Sequence, residues 1–436
     1  MARHFDATKP QFDEALTRFL AEDRGQGEDV FGVVKDILAD VKKRGGAAVA
    51  DYTAKFDGLQ IDPSTLQTDN VDLHALAATC PPDLRAAIDF AHDRIAAYHG
   101  AQRPADHRFT DEAGVELGWR WTALDSVGVY VPGGRASYPS SVLMNIVPAR
   151  IAGVGRIVMV APAPKGELSN AVAYAALKAG VDEYYPIGGA QAVGALAFGA
   201  GALKPVDKIV GPGNAFVAEA KRQVFGHVGI DTIAGPSEIL VIADATANPD
   251  WVAADLLSQA EHDPSSQSIL ITVDEAVGKA VDKAVENQLK TLPTGERARE
   301  SWLNHGAIIH VRDRLQAADV ANRIAAEHLE LCVEDPDSLL PLIRHAGAVF
   351  LGHHTPEALG DYVTGSNHVL PTSRAARFSS GLGLYDFLKR MSVQRAGPRG
   401  LDVLAPAALR LAEAERLPAH ARSVSIRTNR SGGDGQ

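Results

Sequence analysis

The sequence has 436 residues, of which 46% are hydrophobic and 22% are charged, a composition typical of a folded globular protein. At this length the chain is expected to form two or three domains. Its formal net charge of -11 argues against general binding to a nucleic-acid backbone, because such binding needs a basic surface.

The two cysteines, Cys80 and Cys332, do not suggest a disulfide framework or a cysteine-based zinc site, and they fit a reducing compartment. The N-terminus, "MARHFDATKPQFDEAL", lacks the apolar core of a signal peptide. No segment approaches the roughly 20 apolar residues that a membrane-spanning helix needs. We therefore expect a cytoplasmic protein that binds neither membranes nor nucleic acid.

Residues 1–125 are predicted to form a helical N-terminal region. Apolar residues recur at spacings of three and four in "DVFGVVKDILADVKKRGGAAVADYTAKFDG". They do so again in "PPDLRAAIDFAHDRIAAYHG", after a proline-rich start. No pattern in this region points to a particular chemistry.

From Ser126 onward, short apolar runs alternate with segments of helical length. The runs "SVGVYVPGG", "RIVMVAP", "DEYYPIGG" and "DKIVGPGN" contain or end in Gly and Pro, and a second series begins at "SEILVIAD". This alternation is the signature of parallel βαβ units. We therefore predict an α/β protein with two Rossmann-like parallel-sheet domains, at residues 126–235 and 236–360. The two series could reflect an internal duplication, although no sequence repeat proves one.

The regular alternation stops after about residue 360. Segment 361–436 is rich in small and turn residues and ends in a helix and a tail. It is too small to bury a core of its own, so we expect it to pack on the rest of the protein or on a partner chain. The tail at 428–436, "TNRSGGDGQ", is predicted to be disordered.

Three glycine-containing turns follow predicted strands of the first α/β half. They are "VPGGRASYPSS", "GGAQ" and "GPGN", and Tyr130, Gln191 and Asn214 flank them. Ligands of open α/β sheets bind at the carboxyl ends of the strands, where free N–H groups and helix N-termini gather. Three such turns favour a nucleotide-sized ligand, although each alone could be a simple chain reversal. The GxG of "GVGRIV" precedes a strand, so a bound dinucleotide would lack the standard phosphate loop.

Gln259 and His262 lie three residues apart at the end of an apolar run, just before Pro264. Helical positions three apart share a face, so these two side chains could approach one ion together. Asp361 follows a predicted strand, near another edge of a sheet. Nitrogen and oxygen ligands of this kind suit zinc or a similar divalent ion. The alternative is a solvated last turn of a helix.

Glu327 and His328 stand where a predicted helix passes into a strand, in "AAEHLEL". An adjacent acid and imidazole can divide the work of a general base, and histidine titrates near neutrality. A polar loop is the alternative for this pair. The same structural alternative applies to His368 in "GSNHVLP" and to Glu415 and His420 in "EAERLPAH".

Together these stretches resemble histidinol dehydrogenase, over about residues 30–427. The resemblance rests on a set of segments that occur in one order and at near-family spacing: "VGVYVPGGRASYPSSVLMN", "IGGAQAVGALAFG", "KPVDKIVGPGNAFVAEAKR", "GIDTIAGPSEILVIAD", "AADLLSQAEHD", "EHLEL", "GDYVTGSNHVLPT", "RFSSGLG" and "HARSVSIR". It implies an enzyme of histidine biosynthesis that oxidises L-histidinol to L-histidine through L-histidinaldehyde, in two NAD-dependent steps.

The resemblance also implies which residues act. The ligands of one zinc ion per subunit would be Gln259, His262, Asp361 and His420. The catalytic pair would be Glu327 and His328. Contacts to NAD+ would come from Tyr130, Gln191 and Asn214. Substrate would touch the metal ligands, His328, Ser237, His368 and Glu415. Family members are homodimers whose C-terminal segment crosses to the partner, so Glu415 and His420 would serve the neighbour's site.

The implied mechanism gives His328 and Glu327 different tasks. His328 would take the hydroxyl proton as hydride leaves for NAD+, and Glu327 would activate water to hydrate the aldehyde. Three alternatives remain open: a paralogous zinc and NAD dehydrogenase acting on another small alcohol, a zinc hydrolase that uses no nucleotide, and a non-catalytic metal-binding assembly protein. Glu415 and His368 favour histidinol over another small alcohol, because they would recognise a substrate that carries an imidazole ring.

Overall fold

The structure is a computed structural model that describes residues 2–22, 24, 30–69, 71–133, 138–233 and 235–428. Its internal contacts divide the chain into two units, one made of Met1–Gln102 with Leu124–Phe387 and the other of Arg103–Ala123 with Leu388–Gln436. Two parallel sheets belong to the first unit, and an antiparallel sheet belongs to the second. The predicted α/β class with two parallel sheets is confirmed, while the four-part domain division stays a prediction.

The N-terminal residues are mainly helical, as predicted. Their elements are β1 (Arg3–Asp6), α1 (Phe12–Leu20), α2 (Phe31–Arg44), α3 (Gly46–Asp57), α4 (Leu73–Ala78) and α5 (Pro82–Ala101). Gly45 separates α2 from α3, which the apolar periodicity alone would join. Its φ of 59° and ψ of -130° lie in a region that is readily open only to glycine, so the helix must end there.

Two strands in this region were not expected, β2 (His107–Thr110) and β3 (Val115–Ala123). Both belong to the three-stranded antiparallel sheet, in which β3 pairs along its whole length with β14 (Leu388–Ala396). The partner of β3 therefore lies in a distant part of the sequence. Local periodicity carries no information about such a pairing, which explains why the strands were missed.

The first α/β half forms a five-stranded parallel sheet. Its strands are β4 (Ser126–Tyr130), β5 (Arg156–Val160), β6 (Glu183–Tyr185), β7 (Lys208–Val210) and β8 (Gly229–Ile230), and its helices are α6 (Pro139–Ala152), α7 (Asn170–Ala179), α8 (Gly189–Phe198) and α9 (Ala215–Val224). The strand order is β6-β5-β4-β7-β8. The order reverses between β4 and β7, and ligands of α/β sheets bind beside such a switch point.

The second half forms a six-stranded parallel sheet. Its strands are β9 (Glu238–Ala243), β10 (Gln267–Thr272), β11 (Ala307–His310), β12 (His328–Cys332) and β13 (Ala348–Leu351), with β1 at one edge, and its helices are α10 (Pro249–Ala260), α11 (Glu275–Gln288), α12 (Gly295–His305), α13 (Arg314–Ile324), α14 (Pro336–Leu339) and α15 (Glu357–Tyr362). The order is β1-β11-β10-β9-β12-β13. Without β1 it repeats the order of the first sheet, the result that an internal duplication would leave.

Strand β9 shows why the strands of this sheet read as continuous apolar runs. Ile239 and Val241 pack into a core formed with helices α10 to α12, whereas Leu240 and Ile242 pack into a core formed with α1 and α13. A parallel sheet covered on both faces needs apolar residues at every position. Each fully buried aliphatic side chain of this kind contributes about 1.5–3 kcal/mol to folding.

The second unit contains the three-stranded sheet and two helices, α16 (Pro398–Ala414) and α17 (Pro418–Thr428). Apolar side chains such as Val403, Leu411 and Ile426 are exposed there, as expected for a segment that cannot bury a core of its own. Thr428 ends α17, and residues 429–436 of the predicted disordered tail lie outside the described residues.

Two further expectations concern cysteines and membranes. Both Cys80 and Cys332 are buried and free. Among the described helices, none combines the length and the apolar composition needed to cross a membrane.

Candidate functional site

Glu327 and His328 lie at the amino end of β12, beside the first residue of β9, Glu238. The backbone N–H of Glu238 donates a hydrogen bond to Oε2 of Glu327 at 2.9 Å. Nδ1 of His328 lies 3.0 Å from the carbonyl oxygen of the same residue. Both side chains are buried, so the neighbouring strand fixes the pair and the polar-loop alternative does not describe it.

Burial changes the acidity of both groups. It raises the pKa of Glu327 well above its usual range, an effect that the hydrogen bond from Glu238 partly offsets. It lowers the pKa of His328, and the nearby carboxylate of Glu357 opposes that shift. A neutral imidazole and a carboxyl group of raised pKa are suited to accept and release protons near neutrality.

Helix α15 brings two carboxyl groups to the other nitrogen of His328. Oε1 of Glu357 lies 3.7 Å from Nε2 of His328, and Oδ1 of Asp361 lies 3.8 Å from it. The ligand atoms of these three side chains all lie within 4.8 Å of one another. Nε2 of His328 and Oε1 of Glu357 are buried and have no hydrogen-bond partner within the described part of the chain.

Glu357 was not among the residues that the sequence singled out. The available signal was its position four residues before Asp361, because residues at that spacing share one face of a helix. Two contacts fix it: Oγ of Ser258 donates to its Oε2 at 3.1 Å, and its backbone N–H donates to Oε1 of Glu330 at 2.6 Å. The start of α15 is therefore tied to both α10 and β12.

A second cluster of titratable side chains adjoins Glu357 through Glu330. Asp255, Glu330 and Cys332 have their polar atoms within 4.8 Å of one another. Burial raises the pKa of Asp255 to about 6 and that of Glu330 well above its usual range. A protonated carboxyl group in this pair removes the cost of placing two like charges side by side. No sequence pattern pointed to this cluster of side chains.

The predicted metal ligands of the "QAEHD" stretch lie at and just beyond the end of α10. Gln259 is buried, and its Nε2 lies 3.5 Å from Nδ1 of His262. Its Oε1 is buried without a hydrogen-bond partner in the described residues. An unpaired buried amide oxygen costs about 1–3 kcal/mol, so a ligand for that oxygen would be stabilising.

His368 belongs to the same neighbourhood. Its Nδ1 lies 3.0 Å from the backbone carbonyl oxygen of Asp361, and its Nε2 lies 3.4 Å from Oγ of Ser141. Burial, together with the nearby His328 and His262, lowers the pKa of His368 to about 4, although the hydrogen bond to the carbonyl of Asp361 opposes this shift. The structure thus brings three predicted site histidines together with Asp361.

A cavity of about 1060 Å³ joins this neighbourhood to the glycine-containing turns. The predicted site residues that line it are Tyr130, Gln191, Asn214, Ser237 and His262. Tyr130 ends β4, Gln191 lies in the first turn of α8 after β6, and Asn214 precedes α9 after β7. Ser237 stands just before β9, and His262 lies between α10 and β10. One cavity therefore contains the residues expected to contact a dinucleotide and two of those expected to contact the substrate or metal.

The three turn residues differ in how they are fixed. Tyr130 is buried, its hydroxyl accepts the N–H of Gly189 at 3.0 Å, and burial raises its pKa to about 12. Gln191 is also buried. Oδ1 of Asn214 caps helix α9 by accepting N–H bonds from its first turn. Residues 134–137 of the predicted turn "VPGGRASYPSS" lie outside the described residues.

Glu415 and His420 lie in the second unit. Glu415 directly follows α16 and His420 is in α17, and both are exposed. They line one cavity of about 580 Å³ together with Leu411 and Leu417. The structure thus brings these two predicted residues together, while their contribution to a neighbouring subunit's site stays a prediction.

Comparison with known proteins shows the family to which the chain belongs. Residues 21–428 match the family model described as histidinol dehydrogenase. The chain is 58% identical to histidinol dehydrogenase of Mesorhizobium japonicum, over 96% of this chain and 97% of that protein. It is 57% identical to the Rhizobium meliloti enzyme, over 98% and 99% of the two chains. A crystal structure of histidinol dehydrogenase from Elizabethkingia anophelis superposes with a TM-score of 0.92 at 36% identity, covering 98% of each chain. The chain therefore belongs to the histidinol dehydrogenase family.

Proposed function

We propose that this chain oxidises L-histidinol to L-histidine through L-histidinaldehyde, using one bound zinc ion and two molecules of NAD+. The observation that supports this most directly is the cluster of His328, Glu357 and Asp361, whose ligand atoms lie within 4.8 Å of one another. The cluster combines a base with acidic groups that can bind an amino alcohol or a metal. A cytoplasmic location stays a prediction from the sequence.

The side chains at this site fit a zinc ion. Gln259, His262 and Asp361 offer an amide oxygen, an imidazole nitrogen and a carboxylate oxygen, a donor set compatible with zinc. Oε1 of Gln259 is buried and lacks a hydrogen-bond partner in the part of the chain that the structure describes, which supports its assignment as a ligand. His420 of a second copy of the chain would complete the set. A zinc ion held there would fix and orient the substrate without changing its own oxidation state.

His328 would act as the base in both oxidations. In the first, Nε2 removes the hydroxyl proton of histidinol while the carbinol carbon gives a hydride to C4 of the nicotinamide. The products are the aldehyde, NADH and a protonated His328, which returns its proton to solvent. In the second, the same nitrogen removes a proton from the hydrated aldehyde as its carbon gives a hydride to a second NAD+. The product is the carboxylic acid, which loses its proton to solvent and becomes the carboxylate.

Glu327 would act between the two oxidations. Its carboxylate takes a proton from water as the water oxygen adds to the carbonyl carbon of the aldehyde. The same carboxyl group then returns that proton to the former carbonyl oxygen, which gives the hydrate. The hydrogen bond from Glu238 to Oε2 holds one oxygen of Glu327 and leaves the other for the water. The cavity would keep the reactive aminoaldehyde near both groups until it is oxidised.

Four further residues would select the substrate. Oε1 of Glu357, which is buried and has no hydrogen-bond partner among the described residues, suits a hydrogen bond from the amino group of histidinol. His368 and Glu415 would contact and recognise its imidazole ring. Ser237, which lines the cavity beside His262, would contact the substrate where it meets the dinucleotide. Tyr130, Gln191 and Asn214 would contact NAD+ in the same cavity.

The substrate and cofactor are tested by following NADH at 340 nm with L-histidinol and with other small alcohols. We expect turnover with L-histidinol and NAD+, and little with alcohols that lack the imidazole or the amine. Preferred turnover of another alcohol would indicate a dehydrogenase of different specificity. Hydrolytic activity without nucleotide would contradict the proposal.

A further inference from the structure

A nearly completely buried ion pair lies beneath the turn that follows β7. Lys221 of α9 pairs with Asp231, which directly follows β8, and each side chain is 3% exposed. Removing two charges from water is costly, and an apolar pair of similar volume often stabilises a protein at least as well. Stability alone is therefore a weak reason for placing this pair here.

Both charged groups of the pair bind the same residue, Gly211. Nζ of Lys221 donates to the carbonyl oxygen of Gly211 at 2.9 Å, and Oδ2 of Asp231 accepts the N–H of Gly211 at 2.7 Å. Gly211 has a φ of +109°, and a Cβ there would lie 2.1 Å from the carbonyl oxygen of Tyr130. The residue must be glycine, and the ion pair satisfies both of its backbone polar groups.

Gly211 connects this ion pair to the cavity. The next three residues of the chain, Pro212, Gly213 and Asn214, all line it. Gly211 also packs closely against Tyr130 at the end of β4. The hydroxyl of Tyr130 in turn accepts the N–H of Gly189 in the next turn. The position of one buried ion pair thus sets the relative position of two walls of the cavity.

We propose that Lys221 and Asp231 are positioning residues for dinucleotide binding. They hold the turn at Gly211 against β4, and this turn forms part of the cavity wall. This inference rests on the proposed use of NAD+ in the cavity. Neither side chain needs to touch the dinucleotide. Their loss therefore weakens dinucleotide binding and leaves zinc binding and histidinol binding largely unchanged, because Gln259, His262 and Asp361 lie in and beside helices α10 and α15 of the other α/β half.

The test compares two double variants of the full-length protein. Lys221→Met with Asp231→Leu replaces the ion pair with an apolar pair that cannot bond to Gly211. Arg156→Met with Glu183→Leu is the matched control, because that pair, 2.6 Å apart, joins the amino ends of β5 and β6, away from the turns. The readouts are the Kd for NADH by fluorescence, the KM for NAD+ and for L-histidinol, zinc content and the melting temperature.

We expect the Lys221 and Asp231 variant to raise the Kd for NADH and the KM for NAD+ roughly tenfold, the effect of losing two buried hydrogen bonds. In this variant the KM for L-histidinol and the zinc content should stay within about twofold of the parental values, because neither depends on these two hydrogen bonds. In the control variant every readout should stay within about twofold of the parental value. A folded variant with parental dinucleotide affinity would overturn the inference. Equal losses in affinity for NADH and for L-histidinol would also overturn it, because they would indicate general damage.

Gly211→Ala provides a second measurement if the double variant does not fold. A methyl group there would push the turn away from Tyr130, so the Kd for NADH should rise while the zinc content stays the same. Unchanged NADH affinity in this variant would overturn the inference. A parent protein that binds no NADH would refute the proposed use of NAD+ itself, whereas a binding parent with unaffected variants would refute only the positioning role.

Discussion

Nδ1 of His328 lies 3.0 Å from the backbone carbonyl oxygen of Glu238. A carbonyl oxygen can only accept a hydrogen bond, so Nδ1 carries the proton and the lone pair of the neutral ring is on Nε2. Nε2 is the nitrogen that faces Glu357 and Asp361. The fold therefore selects the tautomer that a base requires and directs its lone pair to the acidic cluster.

Replacing His328 with Asn removes this base and keeps a polar side chain. We expect kcat for both oxidations to fall by about 10² to 10⁴, the usual contribution of general base catalysis. Zinc content should not change. The measurement is kcat with L-histidinol and with L-histidinaldehyde, beside the zinc content of the protein. His74→Asn, on an exposed position of α4, is the control, and a His328 variant as active as this control would refute the role of the base.

Glu327→Gln keeps a side-chain oxygen for the N–H of Glu238 and removes the proton-accepting carboxylate. We expect histidinol oxidation to be affected less than the oxidation of added histidinaldehyde, because only the second reaction requires a hydrated aldehyde. The measurement is single-turnover NADH formation from each substrate. Equal slowing of the two reactions would argue against a separate role for Glu327 in hydration.

Co-expression of two inactive variants tests whether the C-terminal segment serves a neighbouring subunit. In a dimer of His328→Asn with His420→Ala, a crossing segment creates one site in which both side chains are native. Random pairing should therefore restore about a quarter of the parental activity per site. Each variant alone is the control. Restored activity no higher than that of the separate variants would mean that each subunit builds its site from its own residues.

The stability of the protein should depend on His99, which is buried outside the proposed site. Burial lowers its pKa below the ordinary value of 6.5. The unfolded chain therefore binds a proton that the folded chain does not, and stability falls as the pH drops below about 6.5, by at most about 1.4 kcal/mol per pH unit. His99→Gln should flatten this dependence between pH 7.5 and 5.5 in denaturant unfolding, measured by circular dichroism. An unchanged slope would contradict the prediction.

The parallel sheets could be predicted from the sequence because each strand and each helix carries its own local signal. "EILVIA" at β9 is apolar at every position, since both faces of the sheet are covered. Strands β2 and β3 could not be predicted in the same way. The pairing of β3 with β14 depends on a contact between distant segments, and periodicity within 103–123 says nothing about it.

The candidate site was predictable to a different degree in each half. The turns near Tyr130 and Asn214 follow the rule that ligands bind at the carboxyl ends of strands. Glu327 and His328 lie at the amino end of β12, so that rule could not have found them, and the acid–imidazole pair itself was the signal. Glu357 stands in a six-residue helix, too short for a periodic pattern, and its role depends on contacts with Ser258 and Glu330.

The most direct test of the proposed zinc-dependent, two-step oxidation is the number of NADH molecules formed per L-histidinol, measured before metal removal, after it, and after zinc is restored. We expect two NADH before removal, no turnover in the metal-free protein, and two again with zinc. Full turnover by metal-free protein would contradict the metal site at Gln259, His262 and Asp361. A final yield of one NADH would contradict the second oxidation.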